Sequence, residues 1–492
     1  LVPPILVSPP VFNIKLGSFC NYMIPNCNPR GIDGGPFGGN PISFGSNGTN
    51  YNIAIGTSGT LGGGPLTNGN PAIRYSWGSY APYDSTLLKV YFDYGSQSFN
   101  PGGTATLTAD LTLDSISNLT PAQITAETTA GRPWNTQIFL VGGSRVATID
   151  NVINATLVND GIINLVGPLT VGFEIQADIY SINLGKREMI NRKIITDAGE
   201  ATSEALNAVL PIGSTINLAL PPFAGGGTIP ITRSPDGYKG YKVGLILTYE
   251  SNNNDTNNSY ILTNETTGLI DFKGEKSIGI QIYAPGSRNV PIRVLNQGII
   301  NMGGIESYGL KLSSRVNNEA GMIFKNTGTI NVSGINGANT SRSSGMAVIE
   351  DASLTGDNSV RAYTGVVTND GIINVSGGFG NSGMILRVMS GDDITNTSTG
   401  VINVSGTSTL GMRVGYGTVP SGIEGGPSAI NAGTINVNGT SDLGIIANGN
   451  SVVTPALRAT GLNSGNITIT GTGSGALYSL NGATITNTAT GT

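Results

Sequence analysis

The stretch Asn369 to Ser376, NDGIINVS, decides the reading of this chain, because close copies of it recur through the second half of the sequence. Aligned on their glycine, the copies fall at Gly161, Gly268, Gly298, Gly328, Gly371, Gly400, Gly433 and Gly465. Two residues on stands an isoleucine every time: Ile163, Ile270, Ile300, Ile330, Ile373, Ile402, Ile435 and Ile467. Two further on the residue is always apolar, as at Leu165, Phe272, Val375 and Ile469, and a polar residue sits between, as at Asn301, Asn331, Asn374 and Asn403. Alternation of period two predicts a short strand with one face inward. An asparagine usually precedes the glycine by two, as at Asn159, Asn296, Asn326, Asn369, Asn431 and Asn463. Asn-x-Gly of this kind predicts a turn that tolerates positive φ.

A second glycine follows in register at Gly172, Gly279, Gly309, Gly411 and Gly444, and opens a second alternating strand. The spacing stretches at Gly371 to Gly383 and at Gly328 to Gly345, so insertions are expected to collect at this one place in the unit. One such unit cannot bury its own apolar face, whereas stacked copies can. The expectation is an all-β, right-handed parallel β-helix over 103–492, with the isoleucines as an internal ladder and Asn301, Asn331, Asn374 and Asn403 as an outward polar one.

Composition narrows the function. Charged residues make up 11% of the 492 and the net charge is −5, with no Lys/Arg cluster, so the sequence carries no nucleic-acid footprint. Histidine is absent, which removes the usual general base and the commonest zinc ligand. No catalytic, cofactor-binding or metal-binding residue is assigned. The carboxylates Glu350 with Asp351, and Asp392 with Asp393 near Arg387 and Arg413, are the candidates that a β-helical polysaccharide lyase or hydrolase would need, although acidic pairs on turns are usually just solvated. No run of 18 apolar residues is present.

Residues 1–102 lack the repeat and are placed to cap the first coil. They hold the only two cysteines, Cys20 and Cys27, which are expected to form a local disulfide, with two buried thiols as the alternative. They also hold a concentration of rings, Tyr75, Trp77, Tyr80, Tyr83, Tyr91 and Tyr94, which suits either a receptor-binding surface or a plug for the open core. An insertion is expected at about 186–260, with an amphipathic helix over Lys186 to Leu210 and a disguised coil in GSTINLAL and YKVGLILTY.

The N-x-G-x-I-N-V-S-G coil, with its following SSGM at Ser343 to Met346 and NSGM at Asn381 to Met384, resembles the passenger repeats of large fusobacterial type V autotransporter adhesins. The proline-led, cysteine-containing start is similar to the RadD-like group. The resemblance implies a non-enzymatic adhesin at the cell surface, carried on an outer-membrane translocator barrel that this sequence does not contain. It implies as partners a host receptor or glycan, or the surface of other bacteria. A passive β-helical spacer is the remaining alternative. The sequence ends at NTATGT, close to where another turn is due, and is expected to be part of a longer protein.

Overall fold

The structure is a computed structural model. It describes the backbone of 12–15, 50–53, 72–79, 85–93, 104–107, 111–114 and 144–150, and residues 156–492 apart from 168–169, 178–184, 199–211, 220–227, 234, 236–239, 250–257, 285–289, 315–317, 336–341, 350–362, 388–392, 416–425 and 450–457. The chain divides into two compact units, Leu1–Thr248 and Tyr249–Thr492. Each is a right-handed parallel β-helix in which every coil passes through three walls in turn.

In unit 2 the first wall is built from the repeat strands Leu269–Phe272, Ile299–Met302, Thr329–Val332, Ile372–Val375, Val401–Val404, Thr434–Val437 and Asn466–Ile469. Each pairs in parallel with the next, isoleucine on isoleucine: Ile270, Ile300, Ile330, Ile373, Ile402, Ile435 and Ile467 form one unbroken file. Ile330, Ile373 and Ile402 are 0% exposed, as the alternation requires. The polar residues between them point out and form the expected ladder. Asn331 donates to Asn301 at 2.8 Å, Asn374 to Asn331 at 2.7 Å, Asn403 to Asn374 at 2.8 Å and Asn436 to Asn403 at 2.9 Å.

The second wall follows, from Ile278–Ala284 through Tyr308–Ser314, Ser344–Ile349, Ser382–Arg387, Leu410–Gly415 and Leu443–Asn448 to Gly475–Leu480. The second glycine opens these strands because the isoleucine file stands directly against it. A Cβ built on Gly309 would lie 2.7 Å from Cγ2 of Ile330, and one on Gly345 the same distance from Ile373. The third wall, from Ser259–Asn264 to Thr484–Asn487, then returns the chain to the first.

The asparagine before the repeat glycine is not a positive-φ turn residue. It is the last residue of the third wall, and it is buried. Each of these side chains donates to the amide oxygen of the next coil: Asn296 to Asn326 at 2.7 Å, Asn326 to Asn369 at 2.7 Å, Asn369 to Asn396, Asn396 to Asn431 and Asn431 to Asn463 at 2.8 Å. Asn264 and Asn396 join this ladder although they stand four residues before their glycine, since their corner is two residues longer. Glycine follows for space and not for φ: a Cβ on Gly298, Gly328, Gly371 or Gly465 would collide with a backbone carbonyl of the preceding coil.

Positive φ lies instead at the corner between the first and second walls, at Lys276, Glu306, Ser408 and Ser441 and at Gly380 and Gly473. Each immediately precedes a polar residue, and in several coils that residue's side chain caps the neighbouring coil. Oγ of Ser307 accepts from the backbone N–H of Ser277 at 3.1 Å, Oγ of Ser343 from Ser307 at 3.0 Å, and Oδ1 of Asn381 from Ser343 at 3.1 Å. A sharp left-handed step turns the backbone so that this donor meets the next coil's side chain.

Unit 1 is built likewise, with first-wall strands Phe12–Lys15, Leu111–Asp114, Ile162–Val166 and Ile194–Thr196. Its second wall runs from the antiparallel pair Ala72–Ser79 and Ser85–Asp93 through Ser144–Asp150 and Thr170–Ala177 to Lys242–Tyr249. Asn50–Ile53, Thr104–Leu107, Thr156–Asn159 and Lys186–Asn191 form the third.

The helix expected over Lys186 to Leu210 is corrected here. Lys186–Asn191 and Ile194–Thr196 are strands, and 199–211 lies outside the described residues. The apolar stripe had a second explanation, a coil whose glycine is replaced by Lys193. Asn191 accepts from Asn159 at 2.8 Å and Ile195 stacks on Ile163. Coil register, satisfied by long-range stacking, overrides the local helical pattern. Of the disguised coil, Lys242–Tyr249 stands in the second wall. Thr215–Ala219 does not; it pairs antiparallel with Thr228–Thr232 in a sheet of its own, because the connection 220–227 is too short for a parallel crossover.

Candidate functional surfaces

The corners differ sharply in how far they vary. In unit 2 the corner from first to second wall holds 273–277, 303–307, 376–381, 405–409, 438–442 and 470–474, with one long member at 333–343. The corner from second to third wall holds 285–291, 315–317, 350–362, 388–392, 416–427, 449–459 and 481–483. Insertions therefore collect mainly after the second wall, one strand later than the glycine spacing indicated. Glycine-to-glycine distances span only the first corner, so the more variable one escaped them.

Of the residues singled out in sequence, Cys20 and Cys27 lie outside the described residues, as do Tyr80, Tyr83 and Tyr94. Tyr75 and Trp77 fall on the strand Ala72–Ser79 and Tyr91 on its antiparallel partner, where Tyr75 pairs with Val90 and Tyr91 with Arg74. The backbone thus brings three of the six ring positions into one hairpin. Asp393 is exposed and opens a third-wall strand opposite Ser428; Glu350, Asp351 and Asp392 lie outside the described residues. Among the described residues no group of three His, Cys, Asp or Glu side chains gathers to hold a metal. None of their helices is long and apolar enough to cross a membrane.

Two features were not legible in sequence. The first is buried charge in unit 1, where Glu174, Arg187, Asp197, Arg233 and Lys242 are all buried. Lys242 occupies the corner position that serine, threonine or asparagine holds in most other coils, and its ammonium donates to the carbonyl of Gly167. Glu174 accepts from the Thr248 hydroxyl at 2.7 Å. Asp197 stands where the repeat always has an apolar residue, which makes this coil's core chemically unlike those of unit 2.

The second is the outer face of the second wall in unit 2. Register places Lys311, Ala347, Ile385, Arg413, Ile446 and Tyr478 in one row across successive coils. Arg387 stands two residues beyond Ile385 on the same face, and Arg342 precedes the strand that begins at Ser344. Burial, with the positive charges of Arg342 and Arg387, pushes the Arg413 guanidinium below its ordinary value. The Lys311 ammonium lies 4.9 Å from the centre of the Tyr308 ring.

Burial, with Glu306 nearby, pushes the Tyr308 phenol up to about 12, against the opposing pull of Arg342 and Arg387. A phenol whose folded value exceeds its unfolded one near 10 stabilises the fold fully below pH 10 and loses that contribution as pH rises through 12. Urea unfolding between those limits should therefore show the wild-type midpoint falling faster than that of Tyr308→Phe. Parallel curves for the two proteins would show that Tyr308 ionises as readily folded as unfolded.

Comparison with protein-family models, with curated proteins and with solved structures finds no match for this chain.

Proposed function

We propose that this chain is a non-enzymatic, cell-surface adhesin passenger of the type V autotransporter kind, binding host cells or other bacteria through elements that leave the regular coil. The observation that carries this reading is the contrast between uniform walls and variable corners. In unit 2, repeated ladders of isoleucine and asparagine hold successive coils in one register, while the corners after the second wall vary widely in length. Recognition by loops on a rigid scaffold is the ordinary economy of such frames. The ring-bearing hairpin of 72–93 and the insertion between Thr196 and Lys242 are the elements that depart most from the coil.

The test is binding of the purified chain to whole bacterial and host cells, beside an assay against a polysaccharide panel with calcium. A variant in which 199–239 is replaced by a corner of the length of 273–277, combined with Tyr75→Ser and Trp77→Ser, should bind cells at least about tenfold more weakly, or 1.4 kcal/mol. Cell binding unchanged in that variant would show that these elements are not the adhesive surface. Absence of cell binding by the parent chain would favour a spacer. Bond cleavage lost on Asp393→Ala would favour a glycan-cleaving enzyme.

A further inference from the structure

We propose that Arg342, Arg387 and Arg413, with the Tyr308 hydroxyl, form a binding site for acidic polysaccharide on the outer face of the second wall in unit 2. The inference does not rest on the adhesive reading, since a β-helix of any function would carry it.

Among the described residues no carboxylate pairs with any of the three arginines; Glu306, which stands near Tyr308, pairs with Lys276, and Asp370 pairs with Lys325. The described strands of this wall, from Ile278–Ala284 to Gly475–Leu480, contain no Asp or Glu at all. Arg413 and Arg387 sit on hydrogen-bonded neighbours, Arg413 opposite Ile385 and Arg387 two residues further along. Holding like charges this close, with Arg413 partly desolvated, opposes folding unless an anion is present to offset it. Guanidinium is the group of choice for that anion, because its fork matches the oxygens of a sulfate ester or carboxylate. Tyr308 adds a donor, since a phenol held at about 12 keeps its proton at any physiological pH.

What surrounds the charges selects the carrier. The row through Arg413 continues over Ile446 to Tyr478, whose side chain is 48% exposed. A sugar chain presents acidic groups and apolar ring faces together, and a flat wall of arginines, short aliphatic side chains and tyrosine rings is complementary to both. Glu350, Asp351, Asp357 and Asp392 follow strands of this wall in sequence, and neutralisation of the arginines by them would leave the folded chain without affinity for the anion.

The full chain is titrated with a fully sulfated heparin-type octasaccharide, its desulfated counterpart, inorganic sulfate, and polyglutamate of matched charge. The expected result is binding of the sulfated octasaccharide that weakens as salt rises from about 50 to about 300 mM. Arg387→Gln/Arg413→Gln should bind at least about tenfold more weakly, with a thermal transition in the absence of ligand no lower than the parent's, because the substitution relieves the repulsion between the two charges. Binding confined to inorganic sulfate, or equally tight binding of polyglutamate, would overturn the polysaccharide assignment. Equal affinity of the double variant, or no binding by the folded chain, would overturn the site itself.

Discussion

Replacing Ile373 by aspartate is expected to remove the cooperative unfolding of the middle coils of unit 2. Ile373 is wholly buried, stacked between Ile330 and Ile402, and faces Gly345 across the core. Aspartate there forfeits the buried side chain and leaves a charge among apolar layers, a cost on the order of 5 kcal/mol, comparable to the whole stability of an ordinary domain. Stacked coils depend on their neighbours, so the damage should spread. Hydrogen exchange of the variant should show protection lost from Thr329–Val332 through Val401–Val404. Protection there equal to the parent's would mean that Ile373 does not stand in the core.

The second large effect is expected from Gly383→Val. A Cβ at Gly383 would lie 2.6 Å from the carbonyl oxygen of Gly411 and 2.8 Å from Cγ2 of Ile402. The first of these is backbone of the next coil and the second a locked member of the isoleucine file, so neither yields. Overpacking of this kind costs about 3 kcal/mol or more. Chemical denaturation should place the midpoint of Gly383→Val far below that of Gly475→Ala, where a Cβ meets only the end of the Leu443 side chain at 3.1 Å. Similar midpoints would mean that the second wall does not approach the isoleucine file as closely as described.

The sequence showed the coil wherever one residue type had one duty. Isoleucine two places after glycine is inward in every described coil, and the asparagine between the apolar residues is outward, because period two leaves each position a single face. It misled where one residue type serves two purposes. Asn-x-Gly reads as a turn, yet Asn326 and Asn369 are buried strand ends whose amides stitch adjacent coils, and the adjoining glycines are there for clearance. The stripe from Ile190 to Val209 suited a helix, and only long-range pairing of Asn191 and Ile195 decides otherwise. The arginine surface was read only in part: Arg387 and Arg413 drew notice beside Asp392 and Asp393, but their place with Arg342 on one wall follows from register between coils.

That register is the claim on which the walls, the ladders and both surfaces depend, and paired cysteines test it directly. Asn331 and Asn374 are outward, 43 residues apart in sequence and direct partners across adjacent strands. Parallel neighbours stand about 4.8 Å apart, within disulfide range, whereas alternate coils stand roughly 10 Å apart and beyond it. Mild oxidation of Asn331→Cys/Asn374→Cys should give a quantitative intramolecular disulfide, and Asn331→Cys/Asn403→Cys should give none. A disulfide in the second pair and not the first would contradict the coil register and, with it, the account of both surfaces.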